Sequence, residues 1–380
     1  MRFIILALCA STAMPLARAA STATPTLENL QHTIQQQQKR IDALEQKSAA
    51  PAPEAATDAT RIGGYGELHY TNLDSGDEID FHRFVLYFGH RFSDTTRLDS
   101  EVEIEHVFIE NDGGESEGGE VALEQAYIEH QWTADWRTRF GLFLMPVGIL
   151  NERHEPPAFY GVERNPVETF VIPTTWSEGG LETTGSFAGG WSVDLAVSGG
   201  LRVENDEPGE EFLIGHAKGH ASEAPAHDPA VTARVRWRGV PGLELAASGV
   251  YQDDAGQGDI PDVGHATLLE AHAIYRSGPL DVRALYARFG LSGAAPEALN
   301  RDRQDGGYVE ASFKLAPQLG VFARHSVWDS GGVDPETEAH QTDAGLSYWL
   351  VPDVVLKADW RWQGGAADDD GLHLGVGYQF

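Results

Sequence analysis

The segment GLHLGVGYQF, residues 371–380, decides the fold. Successive side chains of a strand alternate between faces, so Leu372, Leu374, Val376, Tyr378 and Phe380 share one side and His373, Gly375, Gly377 and Gln379 the other. The first side suits hydrocarbon and the second suits water, the pattern of a strand that separates the two.

Working back from this segment, period-two character recurs over 61–72, 79–92, 96–109, 119–132, 136–144, 176–187, 191–203, 230–239, 243–252, 265–276, 280–290, 307–315, 319–328, 341–350 and 354–363. Tight turns follow the even segments, among them Ser93-Asp94-Thr95, Ala188-Gly189-Gly190, Val240-Pro241-Gly242 and Val351-Pro352-Asp353. Most odd segments are followed by longer polar connections, such as ENDGGESEGG (110–119) and DDAGQGDIPDVG (253–264). Short turns alternating with long loops predict an all-β chain, a 16-stranded antiparallel transmembrane β-barrel over 61–380. A soluble sandwich has many strands too, but needs no hydrocarbon-like face on nearly all of them.

Alternation assigns the walls. Phe84, Leu86 and Phe88, then Trp191, Val193, Leu195 and Val197, then Val354, Leu356, Trp360 and Trp362 are predicted to face outward. Phe92, Trp132, Trp136, Trp237, Tyr251, Tyr275 and Tyr348 lie near strand ends, where interfacial aromatic girdles sit. Sixteen strands enclose more space than wall side chains alone can fill, which predicts an aqueous lumen.

Ahead of the barrel, Arg2, the apolar run 3–10 and Ala17-Arg18-Ala19 read as a signal peptide over 1–20. The only cysteine, Cys9, lies inside it, so the mature chain is expected to have no disulfide and no thiolate metal site. Residues 21–48 carry three heptads, with Leu27, Ile34 and Ile41 in one seam row and Leu30, Gln37 and Leu44 in the other, read as a short periplasmic coiled coil. A single free amphipathic helix is the rival reading. An Ala/Pro-rich linker follows over 49–60. The formal charge of −31 makes nucleic acid an unfitting partner and favours cation enrichment near the protein, or simply keeps the loops solvated.

The longest connection, MPVGILNERHEPPAFYGVERNPVETFVIPTT (145–175), carries more apolar residues than a solvated loop needs, and is expected to fold inward and narrow the bore. Residues expected at the constriction are Arg83, Glu101, Glu103, Arg137, Arg139, Glu152, Arg153, His154, Glu155, Arg164 and Glu168, with Arg234, Arg236 and Arg238 forming a basic lumen wall. Inward carboxylates at Asp99, Glu101, Glu103 and Glu105 repel unless arginines, water or cations compensate them, so they read either as a wall cross-linked by Arg–Glu pairs or as an ion-binding ladder. Opposed basic and acidic groups would set a transverse field that passes polar solutes and slows apolar ones. His216, His220 and His227 in the fourth long loop are a weak metal candidate, the alternative being a polar loop whose imidazoles merely titrate.

LEQAYIEHQW (123–132), RFGLFLMPVGILNE (139–152), TTWSEGG (174–180) and the terminal strand together resemble the Gram-negative outer-membrane porin superfamily, most closely its phosphate-selective-like branch. The resemblance implies residence in the cell outer membrane, contact with its lipid, a homotrimer, small polar solutes as cargo, no cofactor and no enzyme activity. It also implies that Tyr378 and Phe380 are read by the barrel-assembly machinery. Lysine-based phosphate traffic does not fit, because the barrel holds only Lys218, Lys314 and Lys357. A substrate-specific anion or metal-ion uptake porin, an envelope spacer anchored by the barrel, and an outer-membrane lipid hydrolase remain as alternatives; no G-x-S-x-G or H-E-x-x-H occurs.

Overall fold

The strands close on themselves. In a computed structural model, β1 (Thr60–Leu73), β2 (Gly76–Arg91), β3 (Thr96–Glu105), β4 (Glu120–Gln131), β5 (Trp136–Leu144), β6 (Ser177–Phe187), β7 (Trp191–Ser198) and β8 (Ala230–Val240) make half of the wall. The other half is β9 (Leu243–Gln252), β10 (Ala266–Ser277), β11 (Leu280–Leu291), β12 (Arg303–Ala316), β13 (Leu319–Asp329), β14 (Glu338–Val351), β15 (Val354–Gly365) and β16 (Gly371–Gln379). Each pairs antiparallel with its sequence neighbours, and β1 pairs with β16 to complete a closed barrel. The structure describes residues 59–106, 119–204, 209–219 and 221–380. The signal peptide, coiled coil and linker readings fall outside them, as does most of connection 110–119.

Phe380 extends the closing ladder of β1 and β16. The Phe380 amide donates to the Gly64 carbonyl at 2.9 Å, and Gly64 N–H returns a bond to the Phe380 carbonyl at 3.0 Å. The Phe380 ring stacks 6.4 Å from Phe84 on the outer face. Outside, Leu195, Val197, Val231, Val235, Leu245, Leu269, Val309 and Leu346 are exposed, as are the girdle residues Phe92, Trp132, Trp136, Tyr251, Tyr275 and Tyr348. An exposed apolar surface this extensive is stable only against hydrocarbon.

Several strand ends differ from the sequence reading. β7 stops at Ser198 rather than 203, because Leu201 and Val203 turn in and are buried with the third loop. β12 begins at Arg303, four residues early, where pairing with Gly290 of β11 extends it through polar residues. The inner face of β16 also differs. Gly375 and Gly377 were expected to meet water, but a Cβ on Gly377 would lie 2.3 Å from Pro156 Cβ, and one on Gly375 3.0 Å from Val162. Both glycines make room for the loop.

Candidate functional site in the lumen

Connection 145–176 enters the bore. Phe143, Met145, Val147, Val167, Val171, Ile172 and Trp176 join a buried cluster with Leu201, Val203, Phe212 and Ile214 of the fourth loop and with Leu268, Leu285, Phe289, Tyr308 and Trp328 of the wall. Full burial of each large apolar side chain contributes about 1.5–3 kcal/mol, so the loop is a packed element. Asn151 joins its two legs, donating to the carbonyls of Met145 (2.8 Å) and Trp176 (2.9 Å) while accepting from Trp176 N–H (2.7 Å).

Wall groups hold the loop backbone. Arg83 donates to the His154 carbonyl, Arg283 to that of Ala158, and Arg324 to those of Glu163 and Arg164, each at 3.4 Å. Asp359 accepts from Val162 N–H at 2.7 Å. The loop thus divides the lumen. An outer cavity of about 390 Å³ is lined by Glu67, His69, His82, Arg83, Glu105, Glu163, Arg164 and His373 among others. On the turn side lie a cavity of about 140 Å³ with Arg153, Arg234, Arg236, Arg238, Glu244 and Arg283, and one of about 740 Å³ with Arg276, Asp281, Arg283 and Lys314. The outer cavity shares no lining residue with either inner one, so the loop presents different polar groups to the two ends of the bore.

The expected constriction residues fall into separate groups. On the β1–β4 side, Arg83 binds Glu67 through Nε and Nη2 and lies 3.7 Å from Glu103, while His154 faces Glu101 and Glu124. On the β5–β8 side, Arg139 lies over the Tyr127 ring at 4.9 Å and pairs with Glu182 (3.0 Å) and Glu129 (3.3 Å); Arg137 reaches Glu129 at 3.4 Å. Glu152 bridges Arg234 to Arg139 and Arg236. The basic wall is therefore paired: Asp194 binds Arg234 at 2.8 Å and Arg236 at 3.2 Å, and Glu244 binds Arg238. Arg153 opens into the smaller inner cavity, Glu155 precedes the turn Pro156–Ala158, and Arg164 donates to Thr175 Oγ1 at 2.8 Å. Glu168 is an internal brace rather than a lumen surface. Its Oε1 accepts from Ile149 and Leu150 N–H (2.6 and 2.7 Å), and its Oε2 from Asn165 Nδ2 and Tyr308 Oη, both 2.9 Å.

Glu67, Glu124, Glu182, Asp194, His69 and His82 also belong to the site and were missed. Glu67, His69, Glu182 and Asp194 follow simple alternation in strands whose inward charges were not tallied, whereas His82, next to inward Arg83, is turned inside by the register shift between β1 and β2. Glu124 is placed by a bulge: Glu101 pairs with Gln125 and Val102 with Leu123, leaving Glu124 as the extra residue. His216 pairs with Glu210 (3.2 Å), and His227 donates to the Gln257 carbonyl (3.1 Å). His220 lies outside the described residues.

Loop carboxylates feel their partners. Burial raises Glu152, but Arg234, Arg139 and Arg236 outweigh it and hold the carboxyl down at about 2. Burial likewise raises Glu163, and the His69 hydrogen bond (2.8 Å) with the charges of His69 and His82 brings it to about 2. For His154, burial disfavours the imidazolium, yet Glu124 and Glu101 carry it up to about 9. Because both glutamates are depressed when docked, their contribution is fully present above about pH 4.5 and is lost as pH falls through about 2. Loop docking is expected to persist at pH 5 and to weaken towards pH 2, seen as rising protease cleavage between residues 145 and 176; unchanged cleavage would count against it.

The fold and its inward third loop define the class: a sixteen-stranded barrel of porin architecture. The chain belongs to the same family as an uncharacterized protein of Aquifex aeolicus (strain VF5), to which it is 32% identical over 338 residues, covering 79% of this chain and 74% of that protein. No family model matches. Among solved structures it is similar to OmpF of Salmonella typhi (14% identity, TM-score 0.58, 84% of this chain and 97% of that one). It is similar too to an anion-selective porin from Comamonas acidovorans (13%, TM-score 0.57, 84% and 99%) and to the outer membrane channel DcaP of Acinetobacter baumannii (12%, TM-score 0.55, 84% and 97%). At these identities the likeness is one of fold.

Proposed function

We propose that the protein is an outer-membrane porin, a channel for passive diffusion of small polar or charged solutes, narrowed by its third external loop. The observation that carries this reading is the loop itself: it enters a barrel with an apolar exterior and leaves charged cavities at both ends of the bore. The loop, not the barrel diameter, sets the resistance. Purified protein in planar bilayers is expected to give discrete small conductance steps, and cross-linking in detergent to give trimers. Absence of steps both in the wild type and in a loop-released variant would overturn the reading. A phospholipase assay, expected to be negative, separates it from a barrel hydrolase.

A preference for anions is favoured by one observation: the inner cavities present Arg153, Arg234, Arg236, Arg238, Arg276, Arg283 and Lys314 against Glu152, Glu244 and Asp281. Arg234 is only 3% exposed, so permeating ions meet the more open Arg236 and Arg238, each held by one carboxylate of the wall. Their joint replacement by Gln is expected to move the reversal potential in a KCl gradient towards cations. An unmoved potential would remove the basic wall from the mechanism.

A further inference from the structure

Glu101 and Glu103 lie on the inner face of β3, the bulge adds Glu124 from β4, and His154 descends from the loop between them. Glu101, Glu124 and His154 are 1%, 3% and 3% exposed. Among the described residues, Glu101 Oε1, Glu103 Oε1, both Glu124 oxygens and His154 Nε2 have no hydrogen-bond partner. Arg83, the nearest guanidinium, is committed to Glu67 and stands 3.7 Å from Glu103. Three carboxylates are left facing one imidazole, and a buried charge without a partner costs several kcal/mol. Such a cluster takes up positive charge, as protons or as a metal ion.

The spacing fits an ion. His154 Nε2 lies 3.7 Å from Glu101 Oε1 and 3.6 Å from Glu124 Oε2, too long for hydrogen bonds. Ligands about 2.1 Å from an ion at tetrahedral angles stand roughly 3.4 Å apart. The ligand atoms of these three residues all lie within 4.8 Å of one another. Supporting contacts are in place as well. His154 Nδ1 donates to the Asn151 carbonyl at 3.0 Å, so that an ion displacing the Nε2 proton finds that nitrogen already aimed at the carboxylates, and Gln125 donates to Glu101 Oε2 at 2.6 Å. Tyr65, its hydroxyl also unpartnered among the described residues, stands edge-on to His154 at 5.9 Å.

We propose that Glu101, Glu124 and His154 bind one divalent first-row transition-metal ion of the Zn²⁺ class, with Glu103 beside it, and that the ion ties the third loop to the β3–β4 wall. One imidazole with carboxylates selects this class over Ca²⁺ and Mg²⁺, which take oxygen ligands alone. Three protein ligands leave a position for water or Glu103. The assignment does not depend on the channel reading, because it requires only the docked loop.

The test is calorimetric titration of Zn²⁺ into full-length, chelator-treated protein in detergent near neutral pH, with metal content measured after dialysis. One tight site per chain is expected, weakened at least tenfold in Glu124→Gln and in His154→Gln, and unchanged in His216→Ala/His227→Ala. Heat-modifiable migration on gels identifies variants that still form the barrel. Should both variants fail to fold, Co²⁺ absorption of the wild type decides: bands of a mixed nitrogen and oxygen site support the proposal, and a spectrum of hydrated Co²⁺ overturns it. Absence of a tight site overturns it, as does a site that survives Glu124→Gln but is lost in His82→Ala, which would lie with His69 and Glu163 in the outer cavity.

Discussion

A Glu168→Ala barrel is expected to conduct several-fold more current per channel than the wild type. The carboxylate collects four donors from three places: Ile149 and Leu150 on the descending leg, Asn165 on the returning leg, and Tyr308 on the wall. Removing it orphans buried donors, each costing about 1–3 kcal/mol, whereas deleting a matched pair would cost less. Close packing adds to the effect. Gly148 adopts φ +77°, and a Cβ there would meet Glu168 Oε1 at 2.5 Å, so the glycine lets the chain turn directly over the carboxylate. Glu168→Gln should fall between, since its carbonyl can still serve Ile149 and Leu150 while its amide opposes the donors of Asn165 and Tyr308. Tyr308→Phe, which deletes one donor, should change conductance little. If Glu168→Ala conducts like the wild type, the loop does not limit flow.

The second large effect is expected at Glu152. Replacement by Ala removes the carboxylate shared by Arg234, Arg139 and Arg236, leaving those guanidiniums to Asp194, Glu182 and Glu129. The local field becomes more positive, so permeability should shift towards anions by a few-fold in reversal-potential measurements. Stability should fall as well, by about 1–3 kcal/mol, because one partner of a largely buried network is lost while Glu152 itself keeps some solvent contact. Glu152→Gln separates the two: it should reproduce the selectivity shift with a smaller loss of stability. An unchanged reversal potential in both variants would mean that permeating ions do not pass this cluster.

Strand number, order and outward faces were legible in the chain because period-two alternation is a local property, imposed residue by residue by lipid on one side. Trp191, Leu195 and Val197 and the aromatic strand ends needed no partner to be placed. The inward parity of Arg83, Glu101, Glu103, Arg139 and Arg234 came from the same count, and the apolar content of 145–175 announced a loop that packs. What each inward residue touches is not local. Glu124 reached the His154 cluster through a register shift between two strands, Leu201 and Val203 alternated like a strand but were used as core, and Gly375 and Gly377 are small because Val162 and Pro156 arrive from far along the chain. Alternation therefore determined the cylinder and its two surfaces. Only tertiary packing decided that the third and fourth loops pack together against the inner wall and which charges meet there, since those contacts join segments that no short-range pattern relates.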